Sequence, residues 1–198
     1  VYTRITEEDV STLKGLDDFS RVGEYYMLAV EPAEQGYNAS YIYCDEETMY
    51  IARDQMKLLE GRLPQKEDEV VVSRYFLSNY GADAGIGEKV MLSSESFHGE
   101  YTVTGIMEGY KEKEVNGSSI LLSKEALKGW SGYDPADYRA YVHFKNEQQM
   151  DETELTARSR EIAKEYQLEM PIMNLSYMKF YKQPVNVSML ALVAGIAV

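Results

Sequence analysis

The chain has 198 residues, with 20 Lys plus Arg against 33 Asp plus Glu, two His and one Cys, for a formal charge of −13. That length and a 44 % hydrophobic fraction are enough for a packed core and exclude a disordered chain. The acidic balance argues against a nucleic-acid binder, and the single Cys44 excludes an internal disulfide or a multi-thiolate metal centre.

The elements read as mixed α and β, taken in chain order. Thr6 before EEDV is a helix N-cap with acids in the first turn, and the helix stops near Gly15. Residues 25–31 and 40–44 are strands separated by a turn-like stretch. Residues 48–59 carry helical spacing through Met49, Ala52, Met56 and Leu59. Four short strands follow at 69–73, 89–92, 101–106 and 119–122. Residues 73–80 between the first two form a short helix closed by Gly81, and Ser123 caps another. Residues 139–145 alternate as a half-buried strand. Asp151 with Glu154 makes a capping box for a helix reaching about Tyr166, and a strand is expected at 170–175. The layout is α+β: residues 1–57 and 139–182 form one layered subdomain, and 58–138 is a strand-rich insertion within it.

The ends and the charge distribution stand out. The chain begins at Val1 without an initiator Met or a signal sequence, as an excised piece would. Residues 185–198 are almost uncharged and apolar; a membrane helix needs about 20 such residues, so the stretch reads as a truncated membrane helix or a buried terminal helix. Tyr177, Phe180 and Tyr181 with Lys179 and Lys182 just before it are residue types of membrane interfaces. The first 70 residues hold 7 basic and 16 acidic side chains, either a solvated face or a docking surface for a basic partner.

Catalytic chemistry finds no carrier. The run GIGEK at 85–89 lacks Walker A spacing and the third Gly of a dinucleotide loop, so Gly85 and Gly87 read as turn residues before a strand. His98 falls in a polar loop and His143 in a strand, with no paired ligand motif around either. Cys44 has no basic neighbour to activate it. The chain has 17 Tyr and ten Met, types that suit binding surfaces, and Tyr25, Tyr26, Tyr41 and Tyr43 are candidate interface residues. Half-exposed sheet positions account for these tyrosines equally well.

One succession carries family information. Residues 58–81 read LLEGRLPQKEDEVVVSRYFLSNYG, followed by IGEKVML at 86–92 and YTVTGIMEG at 101–109. This order resembles the periplasmic core domain of MacB-like and FtsX-like ABC transporter permeases. The matching positions are Gly61, Arg62 and Pro64 in a turn, Glu69 at the head of an apolar strand, Gly87 with Glu88, and Val103, Gly105 and Ile106 in the last strand. The remaining three quarters of the chain match only in layout.

The resemblance implies a porter-like α+β layer interrupted by a smaller strand-rich subdomain, hung between two membrane helices on the extracytoplasmic side of a bacterial cell membrane. It makes residues 185–198 the start of the second of those helices. It implies no enzyme activity and no cofactor in this piece, since ATP is bound by a separate ATPase subunit or domain. The matched positions are then architectural, with Gly and Pro setting turns. Implied partners are the cytoplasmic ABC ATPase reached through the membrane region, a second permease half, and a peptide, lipoprotein or extracellular protein. The alternative expectation is an extracytoplasmic ligand-binding sensor domain of a membrane receptor.

Overall fold

The computed structural model of the chain describes residues 1–34, 36–79, 84–109 and 117–173. In chain order the elements are β1 (Tyr2–Ile5), α1 (Glu7–Lys14), β2 (Phe19–Pro32), β3 (Asn38–Cys44), α2 (Glu46–Ile51), β4 (Met56–Gly61), β5 (Glu69–Ser73) and α3 (Arg74–Asn79). Then come β6 (Lys89–Ser93), β7 (His98–Gly109), β8 (Gly117–Leu122), α4 (Lys124–Gly129), β9 (Tyr138–Phe144) and α5 (Glu152–Glu165). The strands form one mixed sheet in the order β1-β9-β2-β3-β8-β5-β7-β4, with β6 alongside the first part of β7.

Strands from the two parts of the sequence segregate. β4 to β8 lie together on one side of the sheet, and β1, β9, β2 and β3 lie on the other. They meet at a parallel ladder between β3 and β8, from Asn38↔Gly117 to Ile42↔Leu121. The expected boundaries at 57/58 and 138/139 fall inside β4 and β9.

Period-two alternation sorts the side chains onto two faces. On one, Val22, Tyr26, Val70, Val72, Ile120 and Ala140 meet α1, α3, α4 and α5 through Leu13, Phe76, Leu127 and Ile162 in a single core. That core runs without a break across both halves of the sheet. On the other face a smaller cluster of Tyr25, Ile42, Cys44, Val71, Met107 and Leu121 is covered by Met49 of α2, by Ala52 just beyond its end and by Met56. The layered architecture is therefore α+β, with helices mainly on one side.

Local capping explains the helix starts. Thr6 accepts from the Asp9 amide while the Asp9 carboxylate accepts from the Thr6 amide, and Asp151 with Glu154 does the same at α5. Ser73 and Ser123 hydroxyls accept from the Phe76 and Ala126 amides, each 3.0 Å away.

Three expectations need correction. The helix expected over 48–59 ends at Ile51, and the chain turns through hydrogen bonds from the Gln55 and Met56 amides to the Ala52 carbonyl before entering β4. Met49, Ala52 and Met56 still reach one core cluster, so a helix, a turn and a strand share the stripe that suggested a longer helix. His98 starts β7, paired with Ser93, instead of sitting in a loop. Residues 170–173 are not a strand, although Ile172 and Val1 exchange both main-chain hydrogen bonds; residues 174 and 175 lie outside the described residues. So do 185–198, the expected membrane helix; among the described residues no helix is long and apolar enough to cross a membrane.

Candidate functional site

The nine motif positions lie within one run of structure, the junction of β4, β5, β6 and β7. Gly61 ends β4 with φ +79°, a left-handed conformation that penalises any side chain. A Cβ there would lie 2.2 Å from the Thr104 carbonyl oxygen and 2.8 Å from the Gly105 Cα. Gly105 faces it in β7, where a Cβ would stand 2.8 Å from the Arg62 carbonyl oxygen. The two glycines let β4 and β7 pack backbone to backbone, and the Arg62 amide donates to the Thr104 carbonyl at 3.0 Å.

Arg62 then reverses direction to hold the head of β5. Its Nη1 and Nη2 donate to Glu69 Oε2 and Oε1 at 2.8 and 2.7 Å. The amides of Gln65 and Lys66 donate to the same Oε2 at 2.8 and 3.2 Å. Pro64 lies half-buried in the turn that this carboxylate closes. The guanidinium, and then the two amides, hold the Glu69 carboxyl down from its ordinary 4.5 to about 2, against the opposing pull of burial.

On the other side of Thr104, the Gly87 amide donates to the Val103 carbonyl and the Val103 amide to the Glu88 carbonyl, both at 2.8 Å. Glu88 Oε2 accepts from the Gly85 amide at 2.7 Å and Gly87 has φ +89°, so GIGEK is a turn feeding β6. The motif thus knits β4, β5 and β6 to β7. Its groups are engaged with one another.

The tyrosine expectation is corrected by packing. Tyr25, Tyr26 and Tyr41 are buried, with Tyr41 at 0 % exposure, and Tyr43 is half-buried. Tyr41 OH accepts from Ser94 Oγ at 2.8 Å and its ring lies 4.3 Å from that of Phe97. Tyr26 OH accepts from the Asp134 amide at 3.0 Å among the rings of Tyr133 and Tyr138. Tyr25 packs on Tyr141 under Arg139. Both faces of β2 and β3 are covered, which an alternating pattern alone does not disclose.

A charged cluster absent from the sequence reading joins the two halves of the sheet. Lys124 of α4 lies 2.6 Å from Glu24 of β2, whose side chain is only 7 % exposed, and also pairs with Glu7 of α1. Lys14 approaches Glu24 at 3.7 Å and Asp45 at 3.2 Å, and Lys128 approaches Glu7 at 3.0 Å. Burial pulls the Lys124 ammonium down, but bonds to Glu24 and Glu7 outweigh it and raise its pKa. Lys124 also lowers the Glu7 carboxyl. Glu24 and Lys124 are 100 residues apart, so no local pattern could reveal the pair.

Among the described residues no group of three or more His, Cys, Asp or Glu is placed to hold a metal ion. A cavity of about 70 Å³ beside β9 is lined by His143, Glu147 and Ser159 among apolar side chains. By alternation His143 lies on the face of β9 opposite Phe144, which packs in the main core with Leu155 of α5. Burial lowers the His143 pKa and raises that of the Cys44 thiol.

No protein-family model and no curated protein matches the chain. Solved structures do. The extracellular domain of the noncanonic ABC-type transporter YknZ from Gram-positive bacteria superposes with a TM-score of 0.58 at 19 % identity, over 86 % of this chain and 89 % of that one. The periplasmic region of MacB from Actinobacillus actinomycetemcomitans gives 0.56 at 14 % identity, over 88 % and 81 %. The chain therefore has the fold of the extracytoplasmic domains of ABC-type transporters.

Proposed function

We propose that this chain is the extracytoplasmic domain of a MacB-like ABC transporter permease. In this reading it carries ATP-driven movement of membrane helices to a peptide or lipoprotein-type substrate, or to a protein partner, outside the membrane. The observation that carries the reading is the fold shared with YknZ and MacB across more than four fifths of each chain. The motif junction supports it, because the residues that suggested the family from sequence are the ones that knit β4, β5, β6 and β7 together.

Mechanically, a transmitter must move as a body. The continuous core, the β3–β8 ladder and the Lys124 cluster tie the porter-like half, within 1–57 and 139–182, to the inserted half at 58–138. ATP would act on a separate ATPase subunit or domain, with residues 185–198 entering the membrane and a second permease half completing the assembly. The domain is non-enzymatic in this account.

Labelling intact cells tests the placement. Met91→Cys puts a thiol on an exposed position of β6, while Cys44 is buried. A membrane-impermeant maleimide labels this variant in intact cells to the same extent as in lysed cells. Labelling that requires lysis refutes the extracytoplasmic assignment.

A further inference from the structure

The outer edge of the sheet carries an arrangement that the shared fold does not by itself require. The Val1 amino group donates to the Ile172 carbonyl at 2.7 Å, and the Ile172 amide donates to the Val1 carbonyl at 2.8 Å. Three residues along, Arg4 Nη1 lies 3.5 Å from Glu169 Oε1. The two contacts lie three residues apart on each segment and run in opposite chain directions.

Both segments are steered into this register and anchored there. α5 ends in a Schellman turn, with the Leu168 amide bonded to the Ala163 carbonyl at 2.8 Å and Gln167 left-handed at φ 56°. That turn sends 168–172 back along β1. Within β1, Arg4 is also left-handed, at φ 52°, where the register with β9 shifts. The buried Tyr2 hydroxyl donates to the Ser159 carbonyl at 3.0 Å, fixing β1 to α5. Residues near position 1 and near position 172 are therefore held to each other and to the same helix.

We infer that residues 169–172 are a strap that fastens the outgoing chain to the incoming one at the sheet edge. Because of it, the segments flanking the domain translate and rotate together and do not part like scissors. The inference rests on the transporter reading, since it concerns how movement enters the domain. The exposed Arg4–Glu169 pair, 74 % and 52 % exposed, guides the register, and the main-chain bonds hold it.

The test uses the full-length transporter in native membranes, carrying Val1→Cys with Ile172→Cys. Directly paired antiparallel positions place Cα atoms about 5.5 Å apart, within disulfide reach. The strap predicts that mild oxidation forms the crosslink in resting membranes and at a rate within about twofold after trapping with ATP and vanadate. It also predicts that ATP hydrolysis by the crosslinked protein stays above about half its reduced value. More than tenfold slower crosslinking after trapping, or hydrolysis lost on oxidation and restored by reductant, overturns it. No crosslink in resting membranes overturns the strap alone. Membranes whose ATP hydrolysis never depends on this chain overturn the transporter reading, and the inference falls with it, even where the crosslink forms. The single variants Val1→Cys and Ile172→Cys, which form no intramolecular bond, separate crosslinking from misfolding.

Discussion

Replacing Glu69 by Gln probes the ion pair at the centre of the motif junction. Glu69 is buried at 6 % exposure, accepts two bonds from Arg62 and two from backbone amides, and has its pKa held down from 4.5 to about 2. A depression of that size is worth at most about 3 kcal/mol. The Arg62 side chain is 49 % exposed, so solvent screening brings the expected loss to about 2 kcal/mol at pH 7. Because the folded-state pKa lies below the unfolded one, this stabilisation is complete above about pH 5 and disappears as the pH falls toward 2. Urea unfolding followed by the single tryptophan, Trp130, gives both quantities for the wild type and Glu69→Gln. The expected gap is about 2 kcal/mol at pH 7 and under about 1 kcal/mol at pH 3. A gap that is constant from pH 7 to pH 3, or absent at pH 7, refutes the electrostatic account.

Three further changes have expected outcomes. Gly61→Ala places a methyl 2.2 Å from the Thr104 carbonyl oxygen in a left-handed residue and lowers stability by about 3 kcal/mol, read as a fall in thermal midpoint. Lys124→Met strips the buried Glu24 of its nearest cation and costs about 2 kcal/mol in denaturant unfolding. The double variant with Glu24→Gln recovers at least half of that, because the buried charge goes too. Gln167→Gly relieves the left-handed turn after α5 and raises stability by about 0.5 kcal/mol, whereas Gln167→Val lowers it by at least about 1 kcal/mol.

Elements governed by neighbouring residues were legible in the sequence. β5 spans the expected 69–73, and the capping boxes at Thr6 and Asp151 start their helices where side chain and amide lie three residues apart. Long-range pairing was not legible. Met56 to Leu59 continue a helical stripe, yet β7 offers a ladder from Gly109, and tertiary pairing overrides the spacing. Tyr25 and Tyr41 alternate like half-exposed strand residues because a sequence shows one strand at a time and not the layers on each side. The motif positions were legible as a set, and their meaning is geometric: Gly61 and Gly105 mark a close backbone approach that only contact between distant strands explains. The Glu24–Lys124 pair and the strap join residues 100 and 171 positions apart, beyond any local pattern.

The proposed role of this domain is service in an ATP-driven permease. Affinity purification of the intact protein from detergent-solubilised membranes, through a tag on its own chain, tests it most directly. In that role an ATP-binding subunit or domain comes with the tagged chain, and the preparation hydrolyses ATP in a vanadate-sensitive manner. A chain that purifies as an intact membrane protein with no nucleotide-binding component and no ATP hydrolysis contradicts it.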